Sequence, residues 1–316
     1  MASGISPEMV GAIGRLRENI GSVFPGRDEA VRLCLTAFLA GEHVLLEDVP
    51  GVGKTLLARA LARSVDGSFH RLQFTPDLLP ADITGSSIFD AKRQEFVFMP
   101  GPVFANVLLA DEINRTTPRT QSALLEAMSD AQVSSDGQTH QLPLPFFVIA
   151  TQNPYEFEGT YLLPESQLDR FQVRVSLGYP DRESTRRIME SQRLGDAVVR
   201  LRPALSMEQV LEIQQAVREV RIDPAIRDYI LDLTDATRSD PRLRLGVSVR
   251  GVLALAGAAQ SRAMIDGRDY VVPDDVKQLA VPVLAHRLLL FGGPFRASSD
   301  ADDIVRDLLE TIPAPK

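Results

Sequence analysis

Cysteine and histidine are scarce in this chain of 316 residues. The single cysteine, Cys34, excludes an internal disulfide and is typical of a protein from a reducing compartment. It lies in an apolar helical pattern, so we expect it to be buried. The four histidines, His43, His70, His140 and His286, are far apart and match no zinc-binding spacing. The sequence therefore predicts neither a disulfide framework nor a zinc site.

A long apolar run and a signal peptide are also missing. No unbroken apolar run approaches the ~18 residues that would suggest a membrane span. The first residues, Met1 to Pro7, lack the basic and apolar regions of a signal peptide. We therefore expect a cytoplasmic protein without a membrane span.

Positive charge is in the minority, because 34 lysines and arginines face 42 aspartates and glutamates, which gives a formal net charge of -8. An acidic surface offers no general attraction for nucleic acid or anionic membrane. Hydrophobic residues make up 44% of the chain, as in ordinary soluble proteins. Length alone suggests two domains. Lysine occurs only four times, and Lys54 lies in a glycine-rich loop.

That loop reads Asp-Val-Pro-Gly-Val-Gly-Lys-Thr and follows an apolar run at Val44 to Leu46. A helix-like segment comes directly after it, and this order of strand, glycine loop and helix suits a nucleotide phosphate. The glycines let backbone N–H groups turn toward phosphate oxygens, and the helix N-terminus adds positive potential. Lys54 is expected to reach the β and γ phosphates, and the Thr55 hydroxyl to bind Mg²⁺. The predicted nucleotide-binding residues are Asp48, Pro50, Gly51, Val52, Gly53, Lys54, Thr55 and Leu56.

One position departs from the full P-loop pattern, which has glycine where this chain has Asp48. Aspartate tolerates left-handed backbone geometry better than most residues, so we expect the turn to form. The alternative is a chance Gly-Lys-Thr in a surface loop.

A second motif, Val107 to Glu112, brings two carboxylates to the end of an apolar strand. Open α/β sheets bind their ligands at that end of the strands. Asp111 is expected to hold Mg²⁺, and Glu112 to orient or deprotonate the attacking water. Asn153 follows a further apolar strand and could position the water if the two strands are neighbours. Taken alone, each motif could be a strand end or turn that becomes polar as it leaves the core.

The apolar segments and the helices between them predict an α/β fold with a doubly wound, mostly parallel, five-stranded sheet. Beyond Pro180 only helical patterns recur, with the best linker near 194–203. We expect a nucleotide-binding α/β domain at 1–200 and a smaller all-helical domain at 201–316. Alternating residues near 85–100 and 132–142 predict two inserted hairpins, the second with an Asp136-Gly137 turn, although decorative loops fit those patterns equally well.

Five motifs together resemble the MoxR family of AAA+ ATPases, a helix-2-insert group, over nearly the whole chain. In chain order they are Glu-Asp-Val-Pro-Gly-Val-Gly-Lys-Thr from Glu47, Leu-Ala-Asp-Glu-Ile-Asn-Arg from Leu109, Ala-Thr-Gln-Asn-Pro from Ala150, Leu-Pro-Glu-Ser-Gln-Leu-Asp-Arg-Phe from Leu163 and Gly-Val-Ser-Val-Arg from Gly246. The last departs from the usual Gly-Ala-Ser-Pro-Arg. The resemblance implies a P-loop core followed by a helical lid domain.

The resemblance also implies residue roles. Asn153 is similar to the sensor that positions the attacking water, and Arg250 to the second sensor, which reaches the γ phosphate. Arg170 resembles the arginine finger that acts in a neighbouring subunit's site, with Arg115 and Arg119 as competing candidates. The segment from Val23 to Arg27 is similar to one that lines the adenine pocket. The hairpins resemble the helix-2 insert and the pre-sensor hairpin.

At the level of function, the resemblance implies an ATP- and Mg²⁺-dependent, chaperone-like motor that assembles as a ring, most often a hexamer. Such a motor remodels or activates a client, often with a partner that carries a von Willebrand factor A domain. Three alternatives stay open: a nucleic-acid-remodelling motor, a magnesium-chelatase-like motor subunit, and a scaffold that binds ATP without useful turnover. The acidic charge and the lack of an appended DNA-binding module argue against the first.

Overall fold

The computed structural model describes residues 5–135, 137–153, 159–161, 163–192, 196–291 and 298–315. The strands of these residues are β1 (Val44–Glu47), β2 (Phe69–Gln73), β3 (Gly85–Asp90), β4 (Glu95–Pro100), β5 (Val107–Asp111), β6 (Gln132–Ser135), β7 (Gln138–Gln141), β8 (Phe147–Gln152), β9 (Val173–Val175), β10 (Leu243–Leu245) and β11 (Leu289–Leu290). The helices are α1 (Pro7–Val23), α2 (Asp28–Ala40), α3 (Lys54–Ser64), α4 (Pro80–Thr84), α5 (Pro118–Asp130), α6 (Glu165–Leu168), α7 (Arg182–Gln192), α8 (Met207–Glu219), α9 (Pro224–Ser239), α10 (Val249–Ile265), α11 (Pro273–Leu284) and α12 (Ser298–Thr311).

Five strands form one parallel sheet in the order β2-β5-β8-β1-β9. The three central strands are apolar runs that are buried on both faces, as expected for a parallel sheet covered by helices. The edge strand β2 is largely exposed and carries polar residues. The predicted five-stranded α/β architecture is therefore confirmed.

Alternate strand residues pack against different helices, because successive side chains point to opposite faces of a sheet. Val44, Leu46 and Ile149 pack with α1, α2 and α3, and this core continues into the helical part of the chain. Leu45 and Val148 pack on the other face, with α5. Cys34, on α2, is buried as expected.

The helices α8 to α12 and the antiparallel pair of β10 and β11 follow the α/β part of the chain, and we call this mainly helical part the lid. The segment that leads into this lid lies along α3: Asp196 pairs with Arg59 at 2.6 Å, and the Ala204 N–H donates to the Ser64 carbonyl at 2.7 Å. Because α3 has 11 residues, Ser64 lies about 16 Å along the helix axis from the glycine loop. The chain therefore enters the lid near the edge of the sheet where the strands begin.

Two antiparallel hairpins project from the α/β part, one formed by β3 and β4 and the other by β6 and β7. The Phe98 ring of the first stacks on the His140 ring of the second, with centroids 3.8 Å apart. The predicted turn residue Asp136 lies outside the described residues. Across the described ranges, every helix is too short or too polar to cross a membrane.

Candidate functional site

The loop between β1 and α3 turns on two glycines with positive φ, +83° at Gly51 and +98° at Gly53. These angles suit glycine, which has no Cβ to clash with the backbone. A Cβ added at Gly53 would also lie 2.8 Å from the Phe24 ring, so this position has no room for a side chain. The loop then enters α3, which begins at Lys54 and directs its first N–H groups into the loop.

Asp48 holds this loop by a mechanism that the sequence did not predict. Its backbone is not among the left-handed residues of the described chain, so the loop turns without using the tolerance of aspartate for that geometry. The carboxylate is buried and accepts the N–H groups of Leu177 at 2.5 Å and Gly178 at 2.8 Å, and the Ser176 hydroxyl at 3.3 Å. Asp48 thus fastens the start of the loop to the chain that follows β9.

The segment from Val23 to Arg27 braces the same loop from the other side. The Arg27 guanidinium donates to the carbonyls of Val52 and Gly178, both at 2.8 Å, and lies 4.8 Å from the centroid of the Phe24 ring. Burial lowers the pKa of Arg27, and the charge of Asp48 raises it. The structure thus places the segment against the loop, and its role in binding adenine stays a prediction.

Lys54 is directed back over the loop, where its Nζ donates to the Asp48 carbonyl at 2.7 Å. Burial lowers the pKa of Lys54, while the negative charges of Asp111, Asp48 and Glu112 raise it. The structure therefore brings the predicted lysine and the two predicted carboxylates into one electrostatic site. A half-buried ammonium of this kind is suited to anionic phosphate oxygens.

Asp111 ends β5 between two donors. Its Oδ1 accepts the Thr151 hydroxyl at 2.6 Å, and its Oδ2 accepts the Arg71 guanidinium at 2.5 Å. Thr151, on the neighbouring β8, also accepts the Glu112 N–H at 2.9 Å. One threonine hydroxyl therefore sets the positions of both carboxylate residues.

Glu112 has a left-handed backbone, with φ of 58°, which is uncommon for a residue other than glycine, and strained residues of this kind cluster at functional sites. Its Oε2 accepts the Gln73 amide at 2.7 Å and the Arg115 guanidinium at 3.0 Å. Gln73 lies opposite Asp111 in the parallel register of β2 and β5. The carboxylate is thus held by side chains of its own subunit, and Arg115 lies in this site rather than facing away from it.

The donor set fits Mg²⁺. The Thr55 hydroxyl and the Asp111 carboxylate would offer oxygen ligands, which Mg²⁺ prefers. The described residues contain no group of three or more histidine, cysteine or acidic side chains that could hold a metal. A protein site with one or two oxygen ligands is typical of Mg²⁺ that is shared with substrate phosphates.

Asn153 follows the last residue of β8, which pairs with β5 on one side and β1 on the other. Because parallel strands end at one edge of a sheet, Asn153 lies at the edge that carries Asp48 and Asp111. The next predicted residue of its motif, Pro154, lies outside the described residues.

Arg170 and Arg250 lie at the opposite edge, where β1 begins. They line one cavity of about 290 Å³, together with His43, Met128, Asp169 and Arg287. Arg170 is half-buried and donates to the Leu125 carbonyl and the Ser129 hydroxyl of α5. The competing candidate Arg119 is exposed in the first turn of α5. The structure brings Arg170 and Arg250 together and separates both from Lys54 of their own chain.

Sequence reasoning gave no role to three residues that shape the site: Arg71, Gln73 and Thr151. Arg71 and Gln73 carry a signal in the sequence, because alternate residues of a strand share a face and both stand at the polar end of β2. Neither residue belongs to a motif, so the pairing of β2 with β5 was needed to find them.

Comparison with known proteins gave consistent results. Residues 43–173 match the family described as ATPase family associated with various cellular activities (AAA), and residues 235–308 match the AAA lid domain. The chain is 48% identical to the uncharacterized protein YeaC of Bacillus subtilis, over 96% of this chain and 95% of that protein. It is 40% identical to Chaperone MoxR1 of Mycobacterium tuberculosis, over 100% of this chain and 85% of that protein. A crystal structure of a protein from Cytophaga hutchinsonii superimposes with a TM-score of 0.89 at 36% identity, over 98% of this chain and 96% of that chain.

Proposed function

Because this chain belongs to the MoxR family of AAA+ ATPases, we propose that it hydrolyses ATP to ADP and phosphate with Mg²⁺ and works as a chaperone-like ring that remodels or activates a client protein. One observation carries the proposal. The phosphate loop and its carboxylates lie at one edge of the sheet, and Arg170 and Arg250 lie at the other. A site divided in this way is complete only where two subunits meet.

Within one subunit, the residues at the loop bind and orient the triphosphate. Gly51, Gly53 and the first turn of α3 direct N–H groups at phosphate oxygens, and Lys54 adds a positive charge. Bound Mg²⁺, held by Thr55 and Asp111, would neutralise charge on the phosphates. Glu112 accepts the proton of the attacking water, which Asn153 helps to position.

The neighbouring subunit supplies the arginines. The lid begins near the far end of α3, and Arg250 shares its cavity with residues at the start of β1. Neither Arg250 nor Arg170 can reach its own γ phosphate from that edge without a large rearrangement. We therefore place both in the site of the next subunit, where an arginine supplied in trans is worth about 10³ or more in rate.

The hairpins are the natural contact for a client. Phe96 is 73% exposed and Phe89 is 53% exposed, and their rings form a pair at the tip of the hairpin of β3 and β4. Exposed aromatic surface of this kind marks an interaction site in soluble proteins. We propose a hexameric ring in which hydrolysis moves these hairpins, and a partner protein with a von Willebrand factor A domain.

Subunit mixing tests the divided site. Arg170→Ala protein keeps Glu112, and Glu112→Gln protein keeps Arg170, so each is expected to be inactive alone. Mixing the two before ATP is added should restore turnover at interfaces that combine an intact Glu112 with an intact Arg170. Mixtures as inactive as their components would contradict action in trans.

The matched control is Arg119→Ala, which removes an exposed arginine from α5. We expect this variant to turn over ATP at the normal rate. Loss of turnover in Arg119→Ala, with normal turnover in Arg170→Ala, would move the trans role to Arg119.

Partner capture tests the biological role. Glu112→Gln protein held with ATP should retain its client and partner, which mass spectrometry can identify. Recovery of a protein with a von Willebrand factor A domain would support the proposal. Recovery of DNA alone, with DNA-stimulated ATPase activity that falls as salt is added, would favour a nucleic-acid motor.

A further inference from the structure

Asp169, the residue before Arg170, has a carboxylate with two partners in the lid. Its Oδ1 accepts Nε of Arg287 at 2.8 Å, and its Oδ2 accepts the Ser248 hydroxyl at 2.9 Å. Ser248 also caps α10, since its Oγ accepts the Gly251 N–H at 3.1 Å. A single carboxylate therefore joins the turn that carries Arg170 to the helix end that carries Arg250.

Arg287 holds the backbone on both sides of Arg170. Its Nη2 donates to the carbonyls of Asp169 at 3.2 Å and Phe171 at 2.8 Å, and its Nη1 donates to the Gln172 carbonyl at 3.1 Å. α6, which precedes this turn, has only four residues, so the turn has little support from its own secondary structure. The position of the Arg170 backbone thus depends on Arg287.

Gly251, in the first turn of α10, leaves room for the Arg287 side chain. A Cβ added there would lie 2.9 Å from Cδ of Arg287 and 2.6 Å from a Val247 methyl group. The residue next to Arg250 must therefore be small for the Arg287 side chain to pass. The close approach locks Arg287 against the first turn of α10.

Charge and burial make the arrangement rigid. The Arg287 side chain is 2% exposed and the Asp169 side chain is 17% exposed, so water screens their attraction only weakly. Burial lowers the pKa of Arg287, and the charge of Asp169 raises it. Burial and the charge of Arg287 keep the pKa of His286 well below its ordinary value, so the His286 ring adds no positive charge beside Arg287.

We propose that Asp169 is a positioning residue, which together with Arg287 and Ser248 fixes Arg170 and Arg250 as one rigid pair that is presented to the neighbouring subunit's site. This inference rests on the proposed function, because it assumes that both arginines act in trans. Asp169 touches neither ATP nor the attacking water. It sets the distance between two side chains that do.

The test uses the mixed assembly, in which the two roles are separate. The donor subunit carries Glu112→Gln and supplies Arg170, while the acceptor carries Arg170→Ala and supplies the catalytic carboxylate. Asp169→Asn is placed in the donor alone or in the acceptor alone, and steady-state turnover is measured. We expect about a tenfold to hundredfold loss from the donor placement, as for other displacements of about 1 Å at a reacting group, and a much smaller loss from the acceptor placement.

The matched control is Asp275→Asn in the donor. Asp275 is a buried carboxylate of the lid, and it pairs with Arg268 at 2.7 Å without contacting the turn of Arg170. Asp275→Asn should lower the stability of the donor but leave the turnover of the mixture near that of the parent mixture. Thermal unfolding of each donor measures how much stability each substitution removes.

Three outcomes overturn the inference. Equal losses from donor and acceptor placements would make Asp169 a structural residue only, as would equal losses from Asp169→Asn and Asp275→Asn. Unchanged turnover with Asp169→Asn in the donor would also reject it. If the parent mixture shows no turnover at all, the proposed action in trans has failed instead, and the two failures are distinguishable.

Discussion

Replacing Asp48 by glycine restores the full P-loop pattern, yet we expect the change to impair the protein. Asp48 is 6% exposed, and its carboxylate accepts N–H groups from Leu177 and Gly178. Glycine offers no acceptor and adds conformational freedom at the first position of the loop. A substitution that brings the sequence closer to the motif should therefore loosen the nucleotide site.

The size of the effect follows from the two amides. A buried N–H without a partner costs about 1–3 kcal/mol, so two such groups set a range of about 2–6 kcal/mol. Water can enter beside the partly exposed Gly178, which brings our expectation to about 2–4 kcal/mol. Each kcal/mol lowers Tm by roughly 2–4 °C in proteins approaching this size. Where ATP must first order the loop, each ~1.4 kcal/mol of stability that the loop has lost raises the Kd for ATP about tenfold.

Thermal unfolding and titration with a fluorescent ATP analogue measure the two quantities, and Asp48→Asn is the matched control. Asparagine keeps one acceptor and loses the charge, so it should fall between wild type and Asp48→Gly. If repulsion between Asp48 and the triphosphate were dominant, both variants would bind ATP more tightly. Wild-type Tm and wild-type affinity in Asp48→Gly would refute the anchoring role of Asp48.

Three further predictions concern single groups. Gln73→Ala removes one of the hydrogen bonds that hold the Glu112 carboxylate, and such a bond is worth about 0.5–1.5 kcal/mol. Because the carboxylate then leaves this partner more readily to reach the attacking water, steady-state kinetics should show faster turnover at unchanged ATP affinity. Burial lowers the pKa of Lys54 below 10.5, so ATP affinity should fall with rising pH earlier than for an ordinary lysine, and Lys54→Arg protein should lack that fall. Burial lowers the pKa of His43 to about 4, and the neutral ring accepts the Val148 N–H. Stability should therefore be full above pH 6.5, the ordinary histidine value, and should decline toward pH 4 by about 3 kcal/mol as the unfolded chain takes up the proton. The free energy of unfolding, measured with denaturant at several pH values, should show this decline in wild type and should lack it in His43→Gln.

Local patterns predicted the sheet because its central strands are continuous apolar runs between helices. The helix α12 carries a comparable local signal, because Ala301, Ile304 and Val305 recur at helical spacing and are buried.

The role of Asp48 could not be read from sequence, because its partners are backbone N–H groups 129 and 130 residues away. Every residue except proline offers such a donor, so the pairing has no signature in composition or spacing. The location of Arg250 could not be predicted from the sequence, for a similar reason. It depends on the path of the segment from Asp196 to Ala204 along α3, and that path is set by tertiary contacts.

The strand β9 links the two edges of the sheet between which the proposed site is divided. Before it lies Arg170, whose turn is held by Arg287, and after it lie the Leu177 and Gly178 amides that hold Asp48. From residue 170 to residue 177 an extended chain covers about 23 Å, roughly the depth of the sheet. A change at the glycine loop is therefore expected to displace the same short segment that carries Arg170. If Arg170 acts in trans as proposed, this connection predicts physical coupling between neighbouring sites.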